Sequence, residues 1–195
     1  MGGQNFDWDV FDVVDGSIEA DLFDGVLACL HAQYGIDEDR IHSMGFSLGS
    51  ILSDMLGTIR GDQIASIATY SGGYWSNPQN VDSLLAMVVN WPLHLTDNKY
   101  PQLIVHGGPT DTFGVAGLIE LDFSAYAIAD LAFLNTKGHD AIICEHAGGH
   151  TVPSSMGPTT FVEFFRDHPR GTEDSPYSNG LPASFSTGCS FSGKN

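Results

Sequence analysis

A serine with a glycine two residues to each side is the strongest candidate for a catalytic residue in this chain. The stretch Gly45-Phe46-Ser47-Leu48-Gly49 follows an apolar run at 40–44 and precedes a helical pattern at about 48–60. A serine on a tight strand-to-helix turn is held with its hydroxyl exposed. We expect glycine at 45 and 49 because a side chain at either place would collide with the neighbouring strand or helix. The pattern predicts a nucleophile at Ser47; the alternative is an ordinary turn.

A serine hydroxyl needs a base to take its proton, and the base needs an acceptor that holds its tautomer. Asp111 and His150 each follow an apolar run, at 102–106 and at 141–146, in loops that contain paired glycines. The order serine, aspartate, histidine along the chain is that of the hydrolases built on a parallel sheet. The three residues therefore predict a catalytic triad.

Other interpretations of these residues remain open. An aspartate in a Pro-Thr-Asp turn is often a helix cap or turn residue, and a histidine after two glycines is often a plain loop residue. Asp97 and Asp122 are rival acids, although neither directly follows a predicted strand. His146 and His150 stand four apart, but glycines between them argue against a helical metal pair. We expect neither a metal nor a cofactor.

The surroundings of Ser47 suggest further roles. The N–H of Leu48 lies at the start of the predicted helix and would donate to an oxyanion. A second donor is not evident, and the backbone amides of Gly2 and Gly3 are a conceivable substitute. Aromatic residues on or beside loops would contact an aryl or oligomeric substrate; they are Phe46, Tyr74, Trp75, Trp91 and Phe113. Core packing is the alternative for Trp91 and Phe113.

Hydrophobic periodicity predicts an alternation of helices and strands. The predicted helices are 17–34, 48–60, 81–90, 118–136 and 159–167, and the predicted strands are 40–44, 64–70, 102–106 and 141–146. This alternation is typical of an α/β fold with a mostly parallel sheet, in which ligands bind at the carboxyl ends of the strands. We expect a single domain over residues 1–195, with an irregular tail at 169–195.

The charge balance limits the classes of partner. The chain of 195 residues carries 24 acidic and 7 basic residues, a formal net charge of −17. A field of that sign repels nucleic acid and anionic membranes, and it suits a secreted or salt-adapted protein. There is no run of eighteen apolar residues, and the first residues lack the pattern of a secretory signal. We expect no nucleic-acid or membrane partner.

The three cysteines cannot all pair within the chain. Cys29 falls in a helical pattern and Cys144 in a strand pattern, so a buried thiol is the expectation for both. Cys189 lies in the tail, which a disulfide would tie down in an oxidising compartment. The sequence leaves its partner open.

Together, these motifs resemble those of the feruloyl-esterase and polyhydroxybutyrate-depolymerase group of serine esterases. The resemblance lies in 45–49, in His106-Gly107 followed by Asp111, and in Gly148-Gly149-His150-Thr151-Val152-Pro153, and it covers about residues 7–168. It implies a secreted α/β-hydrolase that forms an acyl-enzyme on Ser47. In that group several strands precede the position of residue 15, so we expect an N-terminally truncated sheet. An unpaired sheet edge would favour a homodimer or strand exchange.

The sequence thus favours a serine hydrolase of carboxylic esters, acting on aryl or oligomeric, polyester-type substrates. A peptidase or thioesterase on the same fold is the nearest alternative, since the serine motif does not separate them. A catalytically silent binding protein of the same fold is the alternative from another class. Neither the acyl nor the alcohol group follows from the sequence.

Overall fold

The fold is built on a five-stranded sheet. The computed structural model describes residues 8–14, 16–93, 96–115, 117–172 and 174–194. The strands are β1 (His42–Phe46), β2 (Ser66–Tyr70), β3 (Gln102–His106), β4 (Thr112–Val115), β5 (Ile119–Asp122), β6 (Ala141–Glu145) and β7 (Cys189–Ser192). The helices are α1 (Ile18–Tyr34), α2 (Leu48–Arg60), α3 (Phe123–Thr136) and α4 (Pro158–Asp167). The predicted α/β class with a mostly parallel sheet is confirmed.

The order of strands in this sheet is β1-β2-β3-β6-β7, with the first four parallel and β7 antiparallel to β6. Every residue of β2 and β3 is buried, as expected for parallel strands covered by helices on both faces. Within the described residues β1 and β7 are the edges. Because the parallel strands run the same way, the loops after β1, β2, β3 and β6 meet at one end of the sheet.

The predicted first helix is confirmed, together with both of its ends. The Ser17 side chain accepts a hydrogen bond from the N–H of Ala20, and Gly35 closes the helix with φ 66°. Of the residues of α1, only Ala20 is buried. The apolar stripe that the sequence shows on this helix is instead exposed, at Ile18, Leu22, Val26 and Leu30.

The predicted helix at 118–136 begins too early. Residues 112–115 and 119–122 pair as the antiparallel hairpin β4–β5, a separate two-stranded sheet, and α3 starts only at Phe123. Asp122 caps α3 by accepting from the N–H of Ala125. The short alternation of apolar and polar residues in 119–122 is as compatible with a strand as with a helix. Pairing with 112–115 makes this segment a strand. The predicted helix at 81–90 is reduced to a 3₁₀ turn at Leu85–Met87.

The predicted irregular tail contains an ordered strand. Cys189 in β7 forms a disulfide with Cys144 in β6, so the expectation of a buried thiol at Cys144 is wrong. Cys29 is free and exposed rather than buried, because its helix turns that side to solvent. The disulfide joins the tail to the strand that leads toward His150.

No helix in the described part of the chain combines the length and the apolar character that a bilayer span requires.

Candidate active site

The turn after β1 holds Ser47 in a strained conformation. Its backbone has φ 56° and ψ −125°, a region that residues other than glycine rarely occupy. Its N–H donates to the carbonyl of Tyr70 (2.9 Å), and its own carbonyl accepts from the first turn of α2. A Cβ at Gly45 would overlap the carbonyl of Gly49, so a side chain is excluded there. The same argument fails for Gly49, where a Cβ would meet nothing within 4 Å.

Ser47, His150 and Asp111 form one hydrogen-bonded chain. His150 Nε2 lies 2.9 Å from Ser47 Oγ, and His150 Nδ1 lies 2.8 Å from Asp111 Oδ1. Asp111 is fully buried, and the His150 side chain is 17% exposed. These are the contacts that a base needs to take the serine proton and that an acid needs to orient the base. The structure thus brings together the three residues that the sequence singled out, across 103 positions of chain.

A serine that the sequence analysis did not single out completes the surroundings of the acid. Ser71 Oγ and the N–H of Gly107 each donate to Asp111 Oδ2 at 2.8 Å. Ser71 follows β2 and has φ 51°, so the turn after this strand is strained as well. With the His150 contact, three donors surround a carboxylate that has no access to water. Such donors stabilise the ionised form and fix its orientation.

The loops that carry the acid and the base are packed backbone against backbone. The N–H of Gly149 donates to the carbonyl of Gly107 (3.1 Å), and the N–H of His146 donates to the carbonyl of His106 (3.0 Å). A Cβ at Gly107 would overlap the carbonyl of Gly149. Only glycine at 107 therefore allows the two loops to approach closely enough for the contact between the side chains.

Three phenylalanine rings surround the imidazole of His150. Phe123 is stacked on it at 4.8 Å and 15°, Phe46 lies at 4.8 Å, and Phe113 at 5.6 Å. Phe123 is buried, whereas Phe46 and Phe113 are exposed. The imidazole is thereby confined to the plane in which it reaches both Ser47 and Asp111.

A cavity of about 390 Å³ opens beside the nucleophile. The described residues that line it, apart from Ser47, are all apolar: Phe11, Leu48, Ile51, Trp75, Leu85, Val88, Phe113, Val115, Ile119, Leu121 and Phe123. The hairpin β4–β5, which the sequence analysis did not find, supplies one wall. Its size and apolar lining are those of a small-molecule site.

The aromatic residues predicted to contact substrate divide into three sets. Trp75 and Phe113 line the cavity, and Phe46 lies outside it against His150. Tyr74 is fully buried, with its hydroxyl bonded to Gln102 Oε1 at 2.6 Å, so a substrate cannot reach it. Trp91 does not line this cavity; it packs on the core, and its indole N–H donates to the carbonyl of Val10.

Two buried acids hold the loop that carries Ser71 and Trp75. Asp130 accepts from the N–H of Tyr74 and from the amides of Asn77 and Asn80, which lie in this loop. Burial raises the pKa of Asp130 to about 7. Burial also raises the pKa of the second acid, Asp54 of α2, and the nearby Asp130 raises it further. Asp54 accepts from the N–H of Gly73 (2.9 Å).

One hydrogen-bond donor to the oxyanion position can be identified. The N–H of Leu48 is at the first position of α2, where amides have no acceptor within the helix, and it directly follows the nucleophile. Gly2 and Gly3, the suggested source of a second donor, lie outside the described residues. In the part of the chain that the structure describes, no group of three or more His, Cys, Asp or Glu side chains is placed to hold a metal ion.

Comparison with known proteins gives structural likeness without sequence likeness. No protein-family pattern and no curated protein sequence matches the chain. Native pOPH superposes with a TM-score of 0.67 at 17% identity, covering 92% of this chain and 61% of pOPH. Native sOPH gives 0.67 at 16%, covering 89% and 59%. Pyrococcus horikoshii acylaminoacyl peptidase gives 0.54 at 16%, covering 89% of this chain and 30% of that protein.

The chain therefore has the α/β-hydrolase fold, in agreement with the order of its elements and the position of Ser47. It spans about three fifths of the length of pOPH and sOPH. At these identities the likeness concerns the fold alone.

Proposed function

We propose that this chain hydrolyses carboxylic esters through an acyl-enzyme on Ser47. The observation that carries the proposal is the hydrogen-bonded chain from Ser47 through His150 to Asp111, starting at a strained turn. A serine so placed is activated by its neighbouring base.

In the first half of the reaction, Ser47 Oγ attacks the ester carbonyl carbon while His150 Nε2 takes its proton. Asp111 accepts the Nδ1–H bond and stabilises the imidazolium. Negative charge develops on the former carbonyl oxygen, which the N–H of Leu48 stabilises. The intermediate collapses, His150 returns the proton to the leaving alkoxide, and the alcohol departs.

In the second half, water attacks the acyl carbon and His150 takes a proton from it. The second tetrahedral intermediate forms at the same oxyanion position. Its collapse releases the carboxylic acid and returns the proton to Ser47 Oγ, so the enzyme is regenerated with atoms and charges balanced.

The assignment to a particular group of esterases rests on the sequence motifs. We assign the chain to secreted esterases that resemble the feruloyl-esterase and polyhydroxybutyrate-depolymerase group, because of the motifs around Ser47 and His150. The disulfide between Cys144 and Cys189 supports an oxidising compartment. Among the neighbours, a serine-to-alanine variant of pOPH was crystallised with pNPB. The apolar cavity supports an ester of an apolar acid.

A panel of substrates tests the reaction type. We expect p-nitrophenyl esters to be hydrolysed faster than the matching thioesters or peptide anilides, and Ser47→Ala to abolish hydrolysis. The structural likeness to an acylaminoacyl peptidase suggests the alternative that this chain is a peptidase, in which case peptide anilides are cleaved preferentially. Equal hydrolysis by wild type and Ser47→Ala would contradict the proposal.

A further inference from the structure

The apolar cavity has a closed floor and an open mouth. Ile51, Trp75, Leu85, Leu121 and Phe123 are buried and form its floor. The rim residues are exposed: Phe11, Val88, Phe113 and Val115. A ligand therefore enters from the rim and ends against the floor, which limits its length.

The position of the base shows which part of an ester this cavity receives. The leaving oxygen must lie within hydrogen-bond reach of His150 Nε2, since His150 returns its proton. Ser47 lines the cavity and His150 does not, and in the acyl-enzyme the acyl carbon is bonded to Ser47 Oγ. The acyl group therefore occupies the cavity. The alcohol lies on the side of His150, beside the exposed Phe46.

The lining also selects for charge. Among the described residues that line the cavity none carries a charge, so a carboxylate would lose its hydration there without gaining a partner from them. The formal net charge of −17 adds repulsion of anions at long range. An acyl group that ends in a carboxylate is disfavoured on both counts.

We propose that the cavity is an acyl-binding pocket for uncharged, apolar acyl groups of medium length, with the hairpin β4–β5 as its specificity-determining wall. This rests on the ester hydrolysis proposed above. Since a water-sized group takes about 30 Å³ of liquid volume, a cavity of about 390 Å³ holds on the order of ten non-hydrogen atoms. The alcohol, which faces solvent, is accepted with little selection.

The chain length of p-nitrophenyl esters tests the pocket in the active protein. We expect kcat/KM to rise by about tenfold or more from acetate to octanoate, because each buried methylene contributes, and to fall again at hexadecanoate. Val115→Trp, at the rim, lowers the ratio of octanoate to acetate hydrolysis. The matched control is Leu118→Trp in the same hairpin, which is exposed and outside the lining, and it leaves this ratio unchanged. A flat profile, or equal effects of both variants, overturns the proposal.

Binding to the Ser47→Ala variant separates the pocket from catalysis. Calorimetry is expected to show binding of octanamide and none of succinamic acid, and Val115→Trp in that background weakens the octanamide signal. Absence of octanamide binding, or equal binding of both compounds, overturns the pocket. If wild type hydrolyses no ester but octanamide binds, the proposed reaction fails and the pocket stands.

Discussion

At the residue scale, the orientation of Asp111 depends on hydrogen-bond donors, just as the orientation of His150 depends on Asp111. Asp111 is buried, and its Oδ2 accepts from Ser71 and from the N–H of Gly107. A carboxylate out of water needs such donors to stay ionised and aimed at the imidazole. Ser71 is accordingly a positioning residue, which acts on substrate only through Asp111 and His150.

Removal of the Ser71 hydroxyl should slow turnover. A hydrogen bond to a charged group is worth about 1.5–3 kcal/mol, so we expect kcat to fall about 10–100-fold in Ser71→Ala, with KM unchanged. Ser71→Gly should behave alike, because glycine adopts the backbone of φ 51° without strain. Steady-state kinetics on a p-nitrophenyl ester measure both constants.

The control for this prediction is Ser76→Ala, which removes a buried hydroxyl from the same loop without touching Asp111. It should keep the wild-type kcat. Wild-type kcat in both Ser71 variants would show that the hydroxyl does not position the acid.

The catalytic residues were predictable because each follows a predicted strand and lies in a turn or loop that contains glycines. The role of Ser71 was not predictable, because it depends on a contact with Asp111, which lies 40 positions away in the chain. The sequence likewise did not show that Tyr74 and Trp91 lie outside the cavity. Both lie in or beside loops, and only packing decides whether an aromatic ring in a loop faces a ligand or the core.

At the element scale, the loop between β2 and β3 is fastened by acids that are buried on the helices. Asp130 of α3 receives three hydrogen bonds from this loop, and burial raises its pKa from 3.8 to about 7. Between these two values the folded protein holds a proton that the unfolded chain has released. The free energy of unfolding therefore falls as the pH rises from about 4 to about 7.

Chemical denaturation at pH 5 and pH 7.5 should show this loss of stability. Over the whole interval of about three pH units Asp130 accounts for at most about 4 kcal/mol, of which about 2.5 kcal/mol falls between pH 5 and pH 7.5. Asp130→Asn should reduce the pH dependence and leave the part that Asp54 contributes, whereas Asp97→Asn, at an exposed position, should leave it as in wild type. An unreduced dependence in Asp130→Asn would rule out this carboxyl as a source of it.

The C-terminal strand β7 illustrates what periodicity misses. It has four residues in a tail rich in Ser and Gly, and its pairing with β6 is secured by the disulfide of Cys144 and Cys189. The hairpin β4–β5 was missed for a similar reason, since two four-residue strands stabilise each other only when paired. Helices α1, α2 and α4 were predicted well because their patterns extend over nine residues or more.

Loss of the disulfide should destabilise the fold. It closes a loop of 45 residues, and such crosslinks contribute about 2–4 kcal/mol. Cys144→Ser with Cys189→Ser should lower the denaturation midpoint, and a reductant should have the same effect on wild type. Cys29→Ser, which removes the free exposed thiol, serves as the control and should change nothing. An unchanged midpoint in the double variant would refute the contribution.

At the scale of the whole molecule, two apolar features of the described structure are exposed. Strand β1 is an edge of the sheet, its Met44 is exposed, and the stripe of α1 lies open to solvent. An edge strand and an apolar surface of this kind are typical of association sites. The homodimer expected from the sequence stays a prediction.

Light scattering after size-exclusion chromatography tests the dimer. We expect twice the mass of one chain for wild type and a single-chain mass for Met44→Lys, since lysine on an edge strand opposes pairing. Val162→Lys, exposed on α4, is the matched control and should remain dimeric. A wild-type protein of single-chain mass at all concentrations would contradict the prediction.

The proposed reaction depends on Ser47 being a nucleophile that His150 activates. Reaction with a fluorophosphonate, followed by intact-mass and peptide analysis, tests it most directly because the reagent requires an activated serine. We expect one adduct per chain, located on Ser47, absent from Ser47→Ala and strongly slowed in His150→Ala. Absence of an adduct in wild type at neutral and mildly basic pH, or an adduct on another residue, would show that Ser47 is not an activated nucleophile.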